Sequence, residues 1–235
     1  MTNVIDYKKA YKALYLPKSE PVIIDVPEMT FVAVQGKGNP NDENGAYQKA
    51  IEVLYSVQYT IKMSKKGNSV PAGYFDYVVP PLEGFWWLDK QNGNFSIEDK
   101  SHYHWISVIR LPEFVDEKVF TWACIEASKK KKIDTHHAKY LKIKEGLCVQ
   151  CLHTGAYDNE PETLKIMHEF MAKNGLQSDI NDTRRHHEIY LSDPRKTEAS
   201  AWKTVLRIPV SYRQAKNVSP QIVPIGGNLN ERLYL

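Results

Sequence analysis

Cysteine is scarce in this chain: three in 235 residues, an odd number that argues against a disulfide framework. No stretch approaches the roughly 18 uncharged apolar residues of a membrane span. The start, Met1-Thr2-Asn3-Val4-Ile5-Asp6, lacks a basic region followed by an apolar run, so no export signal is expected. Charge of one sign is also lacking, with 31 Lys and Arg against 28 Asp and Glu and a net charge of +3. That balance gives no reason to expect a polyanionic partner. The densest basic run, Lys129 to Lys132, is bracketed by Glu126 and Asp134 and reads as a solvated helix end. These absences predict a cytoplasmic, reduced protein with no nucleic-acid and no membrane partner.

Metal chemistry is not expected either. Cys148-x-x-Cys151 has zinc-like spacing, but residues three apart on a strand point to opposite faces, and no second CxxC or HxxxH supplies further ligands. The pairs His136-His137 and His186-His187 diverge in the same way if extended, and His102 and His104 share a face without a carboxylate partner. No cysteine stands beside a helix start with an obvious base. No metal and no cofactor is expected.

What the chain does contain is a repeat. Trp105-Ile-Ser-Val-Ile-Arg-Leu-Pro112 and Trp202-Lys-Thr-Val-Leu-Arg-Ile-Pro209 share Trp, Val, Arg and Pro at equal spacing. Each reads as a strand closed by a proline that needs no backbone donor. Upstream of the first lie a strand from Met29 to Gly36, a helix from Gly45 to Met63 with Ala50, Leu54, Val57 and Ile61 as its core stripe, and a strand from Tyr74 to Val79. Upstream of the second lie a strand from Leu147 to Gly155, a helix with Pro161 in its first turn and Leu164, Met167 and Met171 as its stripe, and a strand from His187 to Leu191. Each half is therefore strand, helix, strand, strand. The expected organisation is an α+β chain forming one domain over 1–235. It comprises a first βαββ module over 21–112, a connecting helix and linker over 113–146, a second module over 147–209 and a C-terminal extension over 210–235. Val22 to Val26 is expected to add an edge strand.

Aromatic residues suggest where a ligand would sit. The first helix carries Tyr47, Tyr55 and Tyr59, with Ile51 completing an i, i+4 series beside the core stripe. Phe75 and Tyr77, Phe85-Trp86-Trp87, Trp105, Tyr157 and Tyr190 add to a concave aromatic wall suited to flat ligands between the halves. Glu188 lies in a central strand, where a charge is costly unless paired or facing a cavity. If strand alternation puts Glu188 and Tyr190 on one face, the carboxylate is a candidate general base or cation binder. Glu83, in the Pro-Pro-Leu-Glu-Gly turn, is a second carboxylate near the aromatics, and loop exposure explains it equally well.

Three segments carry a family resemblance: Leu152-His-Thr-Gly-Ala-Tyr-Asp158 with Glu160-Pro161, His187-Glu-Ile-Tyr-Leu-Ser-Asp-Pro194, and Tyr74-Phe-Asp-Tyr-Val-Val-Pro-Pro-Leu-Glu-Gly-Phe-Trp-Trp87. Together they resemble the GyrI-like small-molecule-binding proteins over roughly Pro21 to Pro209, and more narrowly the cyclopropanoid cyclopropyl hydrolases. The resemblance implies paired SHS2-type βαββ modules with pseudo-two-fold symmetry, an antiparallel sheet with helices, and a small-molecule aromatic xenobiotic bound in the inter-module cleft. It further implies hydrolytic opening of flat, cyclopropane-containing DNA-alkylating compounds of the yatakemycin and CC-1065 type. The family's strand glutamate falls on Glu188, with Tyr190 and His153 as candidate proton donors. The aromatic cage candidates are Tyr55, Tyr59, Phe75, Trp87, Trp105, Tyr157 and Tyr190. A non-catalytic xenobiotic binder with the same cleft remains a second reading, and a protein-binding inhibitor resembling the gyrase-inhibiting members a third. With no helix-turn-helix before Pro21, a transcription regulator is not expected.

Overall fold

Two copies of one strand-helix-strand-strand unit build the sheet of the computed structural model, which describes residues 4–67, 70–88 and 100–213. A short N-terminal segment comes first: β1 (Ile5–Asp6), α1 (Tyr7–Ala10) and α2 (Lys12–Tyr15). The first copy holds β2 (Val22–Lys37), α3 (Ala46–Met63), β3 (Tyr77–Val78), β4 (Leu82–Leu88) and β5 (Tyr103–Arg110). After the connecting α4 (Glu117–Lys131), the second copy holds β6 (Lys139–Thr154), α5 (Glu160–Lys173), β7 (Leu176–Ser178), β8 (His186–Tyr190) and β9 (Lys203–Tyr212).

The helices form for local reasons that the packing completes. On α3, Ala50, Leu54, Val57 and Ile61 recur at helical spacing and are buried against the sheet. Helix α4 starts where the Asp116 side chain accepts from the Val119 N–H, and it stops at Lys132, whose φ of 56° is left-handed. Helix α5 carries Pro161 in its first turn and is followed by Gly175 at φ 67°. Its Met167 and Met171 pack on Leu206 and Ile208 of β9.

Every ladder of the main sheet is antiparallel, and the order is β6-β2-β5-β4-β8-β9-β7. Because β6 also pairs with β9, the strands from β6 round to β9 close into a barrel and β7 extends from the far end of β9. The two copies meet at β4–β8 and again at β2–β6. The matched octapeptides fix the equivalence of the halves. Ser107 and Thr204 hold the same place; one pairs with Gly84 and the other with Tyr190. Ile109 and Leu206 likewise pair with Leu82 and Glu188. The first-half counterpart of Glu188 is thus Leu82.

Charge fills one end of the barrel interior. Arg207 Nη1 donates to Glu145 Oε1 at 2.7 Å, and His187 lies 3.0 Å from Glu145 on one side and 3.0 Å from Glu83 on the other. The N-terminal segment closes this end. The carbonyl of Leu14 accepts from Arg207 at 2.9 Å, that of Ala13 from Gln150 at 2.6 Å, and the Tyr15 hydroxyl donates to Glu83 at 3.3 Å.

Four expectations about the strands change. The strand of the first copy is β4, not Tyr74 to Val79. Pro80 and Pro81 have no N–H to give a ladder, so pairing starts after them. The Tyr74, Phe75 and Tyr77 rings gather on Phe114 at 5.1, 5.1 and 6.2 Å, and only Tyr77–Val78 pairs, in parallel with Ile5–Asp6. Glu83 is consequently no loop residue: it sits on β4 with 0% exposure. Val22 to Val26 is the first part of one long β2, paired with Gly146 to Gln150. Pro209 does not end its strand, because β9 continues to Tyr212 along β7. Of the expected C-terminal extension, residues 214–235 lie outside the described residues.

Candidate active site

Strand alternation sorts β8 into two faces. His187 and Ile189 point into the barrel, and His186, Glu188 and Tyr190 point outward, toward the side where Leu206, the ladder partner of Glu188, meets α5. Across the junction of the halves, Leu82, Gly84 and Trp86 of β4 face the same way, opposite Tyr190, Glu188 and His186 respectively. These residues lie on the outward face of the sheet, between Tyr47 of α3 and Tyr157 just before α5.

A directed hydrogen-bond chain runs over that face. The Trp86 indole Nε1 donates to the Tyr190 hydroxyl at 2.9 Å, and that hydroxyl donates to Glu188 Oε2 at 2.7 Å. His186 Nε2 lies 3.3 Å from Glu188 Oε1. The chain depends on a missing side chain: a Cβ at Gly84 would stand 2.6 Å from Trp86 Nε1 and 3.2 Å from the Tyr190 oxygen. Burial, and then the Glu188 charge, raise the Tyr190 phenol far above its ordinary value, so it remains a donor.

Aromatic walls stand on either side. From α3, Tyr47 packs on Trp86 at 5.4 Å and edge-on to Trp105 at 5.1 Å, and Tyr103 meets Trp86 edge-on at 6.0 Å. On the α5 side, Tyr157 contacts Tyr190 at 5.8 Å and Trp202 at 4.8 Å. Trp105 and Trp202, the first residues of the matched octapeptides, therefore back equivalent walls. Trp105 is fully buried beneath Tyr47, with its ring over Gly36, where a Cβ would stand 2.2 Å from the indole.

A second carboxyl enters from the start of α5. Glu160 is 9% exposed, and its Oε1 has no hydrogen-bond partner among the described residues. Burial first, then the charges of Glu188 and Asp158, push it up to about 9. Burial and the neighbouring Glu188 charge thus favour the protonated form of Glu160. The arrangement offers an acceptor and a donor within one aromatic enclosure, the pairing that acid–base chemistry requires.

The structure brings Glu188, Tyr190 and Tyr157 together, with Trp105 behind them. Tyr55 and Tyr59 stack on each other at 6.3 Å farther along α3, where Tyr55 feels the charges of Asp193 and Arg195. Phe75 belongs to the Phe114 cluster instead. Trp87 points the other way from Trp86, stacked on His104 at 5.4 Å and under Arg185 at 4.5 Å. His153 has both ring nitrogens engaged beside α5, with Thr163 Oγ1 at 2.9 Å and the Ala156 carbonyl at 3.1 Å. Tyr47 and Trp86 stand in the expected aromatic wall but outside the expected cage, and Trp202 and Glu160 stand in neither. Alternation allowed only alternate members of Phe85-Trp86-Trp87 to face the cleft, but the β4 register was needed to choose, and Glu160 stood in view beside Pro161 as a first-turn acid.

Among the described residues no group of three His, Cys, Asp or Glu side chains is arranged to hold a metal. Cys148 and Cys151 pack into different clusters, as strand geometry requires, and burial raises their thiols to about 12 and about 11. The His136 and His137 rings do not diverge; they occupy a turn and lie 3.6 Å apart. No helix is long and apolar enough to cross a membrane among the described residues.

A family model described as a GyrI-like small molecule binding domain matches residues 19–211. A solved structure of an uncharacterized conserved protein from Listeria innocua is 49% identical, with a TM-score of 0.82 over 88% of this chain and 100% of that one. Two further Listeria innocua structures, each described as a hydrolase, are 48% identical, with TM-scores of 0.80 and 0.81 over 88% and 89% of this chain and all of theirs. No protein of curated function matches.

Proposed function

Because the chain belongs to the GyrI-like small-molecule-binding family, we propose that its cleft captures flat aromatic xenobiotics and hydrolyses those carrying a strained, conjugated cyclopropane, such as yatakemycin-type alkylators. The observation that carries this reading is the pair of carboxyls in one enclosure, Glu188 as acceptor and Glu160 as protonated donor. The description of two 48% identical relatives as hydrolases supports turnover.

Water attacks the less hindered ring carbon, and Glu188 takes its proton as the carbon–oxygen bond forms. The cyclopropane carbon–carbon bond breaks, and its electron pair moves through the conjugated dienone to become a phenolate. Glu160 protonates that oxygen. Tyr190 and His186 hold the Glu188 carboxylate in place, while Tyr47, Trp86, Tyr157 and Trp202 position the flat ring system and exclude bulk water.

The family's small-molecule-binding description favours a second reading, capture without turnover. One assay separates the two. The protein is mixed with an excess of a cyclopropane-containing alkylator and the ring-opened water adduct is followed by mass spectrometry. Product exceeding protein many-fold is expected. Stoichiometric depletion, with intact compound returning on denaturation, removes the enzyme reading.

A further inference from the structure

The barrel has two ends, and they are filled differently. Tyr15, Leu14 and the Arg207 network occupy one end. At the other, the inward positions are Phe85, Trp87, Ile106, Leu141 and Ile143, which surround a cavity of about 460 Å³. That volume is in the range of small-molecule sites, and barrel mouths are a common place for them. Apart from Phe85, these side chains are only partly buried, although each occupies a core-facing position of its strand. Such half-covered apolar surface is stabilised when something apolar enters.

The rim has a sign. Among the described residues Lys142, Lys144 and Arg185 border the cavity against one carboxylate, Asp182, which lies 3.5 Å from Arg185. An adjoining cavity of about 390 Å³ shares Gln35 and is edged by Lys139 and His137, which extends the basic border. The Trp87 ring already lies between Arg185 and His104, so the apolar contact surface left to a guest is the wall of Ile106, Leu141, Ile143 and Phe85.

We propose that this barrel mouth is a second ligand site, on the opposite face of the sheet from the Glu188 cleft, for an amphipathic organic anion: an apolar ring system bearing a carboxylate or sulfonate. The apolar body sits in the mouth and the anionic group meets the Lys144 and Arg185 rim. The site stands apart from the hydrolase reading and does not depend on it. Its floor nevertheless touches the other face through the backbone, since Phe85, stacked on His187 at 4.0 Å, precedes Trp86, and His187 precedes Glu188.

The test uses the full chain and naphthalene-2-sulfonate as probe, by calorimetric titration and by amide chemical-shift mapping. Saturable binding with shifts at Ile106, Leu141 and Ile143 is expected. Lys144→Glu with Arg185→Glu, both changes at the rim, should weaken binding roughly tenfold or more. Naphthylmethylammonium should bind at least about tenfold more weakly than the sulfonate. Tyr157→Ala, which alters the cleft only, should leave sulfonate affinity unchanged. No saturable binding, equal affinity for the cation, unchanged affinity in the rim variant, or loss of binding in Tyr157→Ala would each overturn the proposal.

Discussion

Tyr190 donates its phenolic hydrogen to Glu188 at 2.7 Å, from two residues along the same strand, while its own oxygen accepts from Trp86 at 2.9 Å. The carboxylate is thereby oriented before any substrate arrives. Glu188→Gln removes the acceptor and should lower kcat by roughly 10² to 10⁴, with KM changed only a few-fold. Tyr190→Phe removes one hydrogen bond to a carboxylate, about 1.5–3 kcal/mol, and should lower kcat roughly tenfold to a hundredfold. Single-turnover product formation measures both. Full activity in Glu188→Gln would remove this residue from the chemistry.

Glu160 predicts the pH dependence. Its carboxyl is raised to about 9 in the folded chain, chiefly by burial, against an ordinary value of 4.5. Between those values the folded state holds a proton that the unfolded state has released, so this contribution to stability is full below 4.5 and declines as pH rises toward about 9. Glu160→Gln, neutral throughout, should flatten that decline in urea unfolding measured from pH 5 to 9. Turnover should fall as pH approaches 9 in the parent and be low at every pH in the variant. A Glu160→Gln variant with the parent's pH–rate profile would assign the high-pH limb, and the general acid, to another group.

The matched octapeptides made the duplication, the element order and the α3 and α5 core stripes legible in the sequence, because periodicity and repeat spacing are local properties. The shared face of Glu188 and Tyr190 was legible for the same reason: alternation along one strand needs no tertiary information. What sequence did not disclose was register between distant strands. The choice of Trp86 over Trp87, the burial of Glu83 and the counterpart of Glu188 all follow from β4 beginning after Pro81 and pairing with β8. The closed barrel was equally hidden, since the β6–β9 pairing that joins its ends has no local signature.

Gly84 tests whether the outward face must be open. An added Cβ would stand 2.6 Å from Trp86 Nε1, so the indole must move off Tyr190. Gly84→Ala should cost about 1–3 kcal/mol of stability, typical of overpacking, and should shift tryptophan emission as Trp86 leaves its 9% exposed position. Activity should fall further than Tyr190→Phe alone, because Trp86 and Tyr190 are both displaced. Unchanged emission with unchanged activity would mean that the indole does not depend on the missing side chain.

Inside the barrel Arg207 and His187 lie against Glu145, and His187 lies against Glu83 as well. Burial alone would raise the Glu145 carboxyl, but His187 and Arg207 outweigh it and hold it at about 2. Its contribution to stability is therefore present above the ordinary carboxylate value and lost only as pH falls toward about 2. Arg207→Met leaves Glu145 with His187 alone and frees the Leu14 carbonyl, so it should cost about 3–5 kcal/mol and move acid unfolding to higher pH. Adding Glu145→Leu restores charge balance, leaving His187 paired with Glu83, and should recover much of that loss despite deleting a second member of the network. Chemical denaturation of the single and double variants measures the difference. If the double variant is as unstable as the sum of its parts, the cost lies in lost packing and not in the stranded charge.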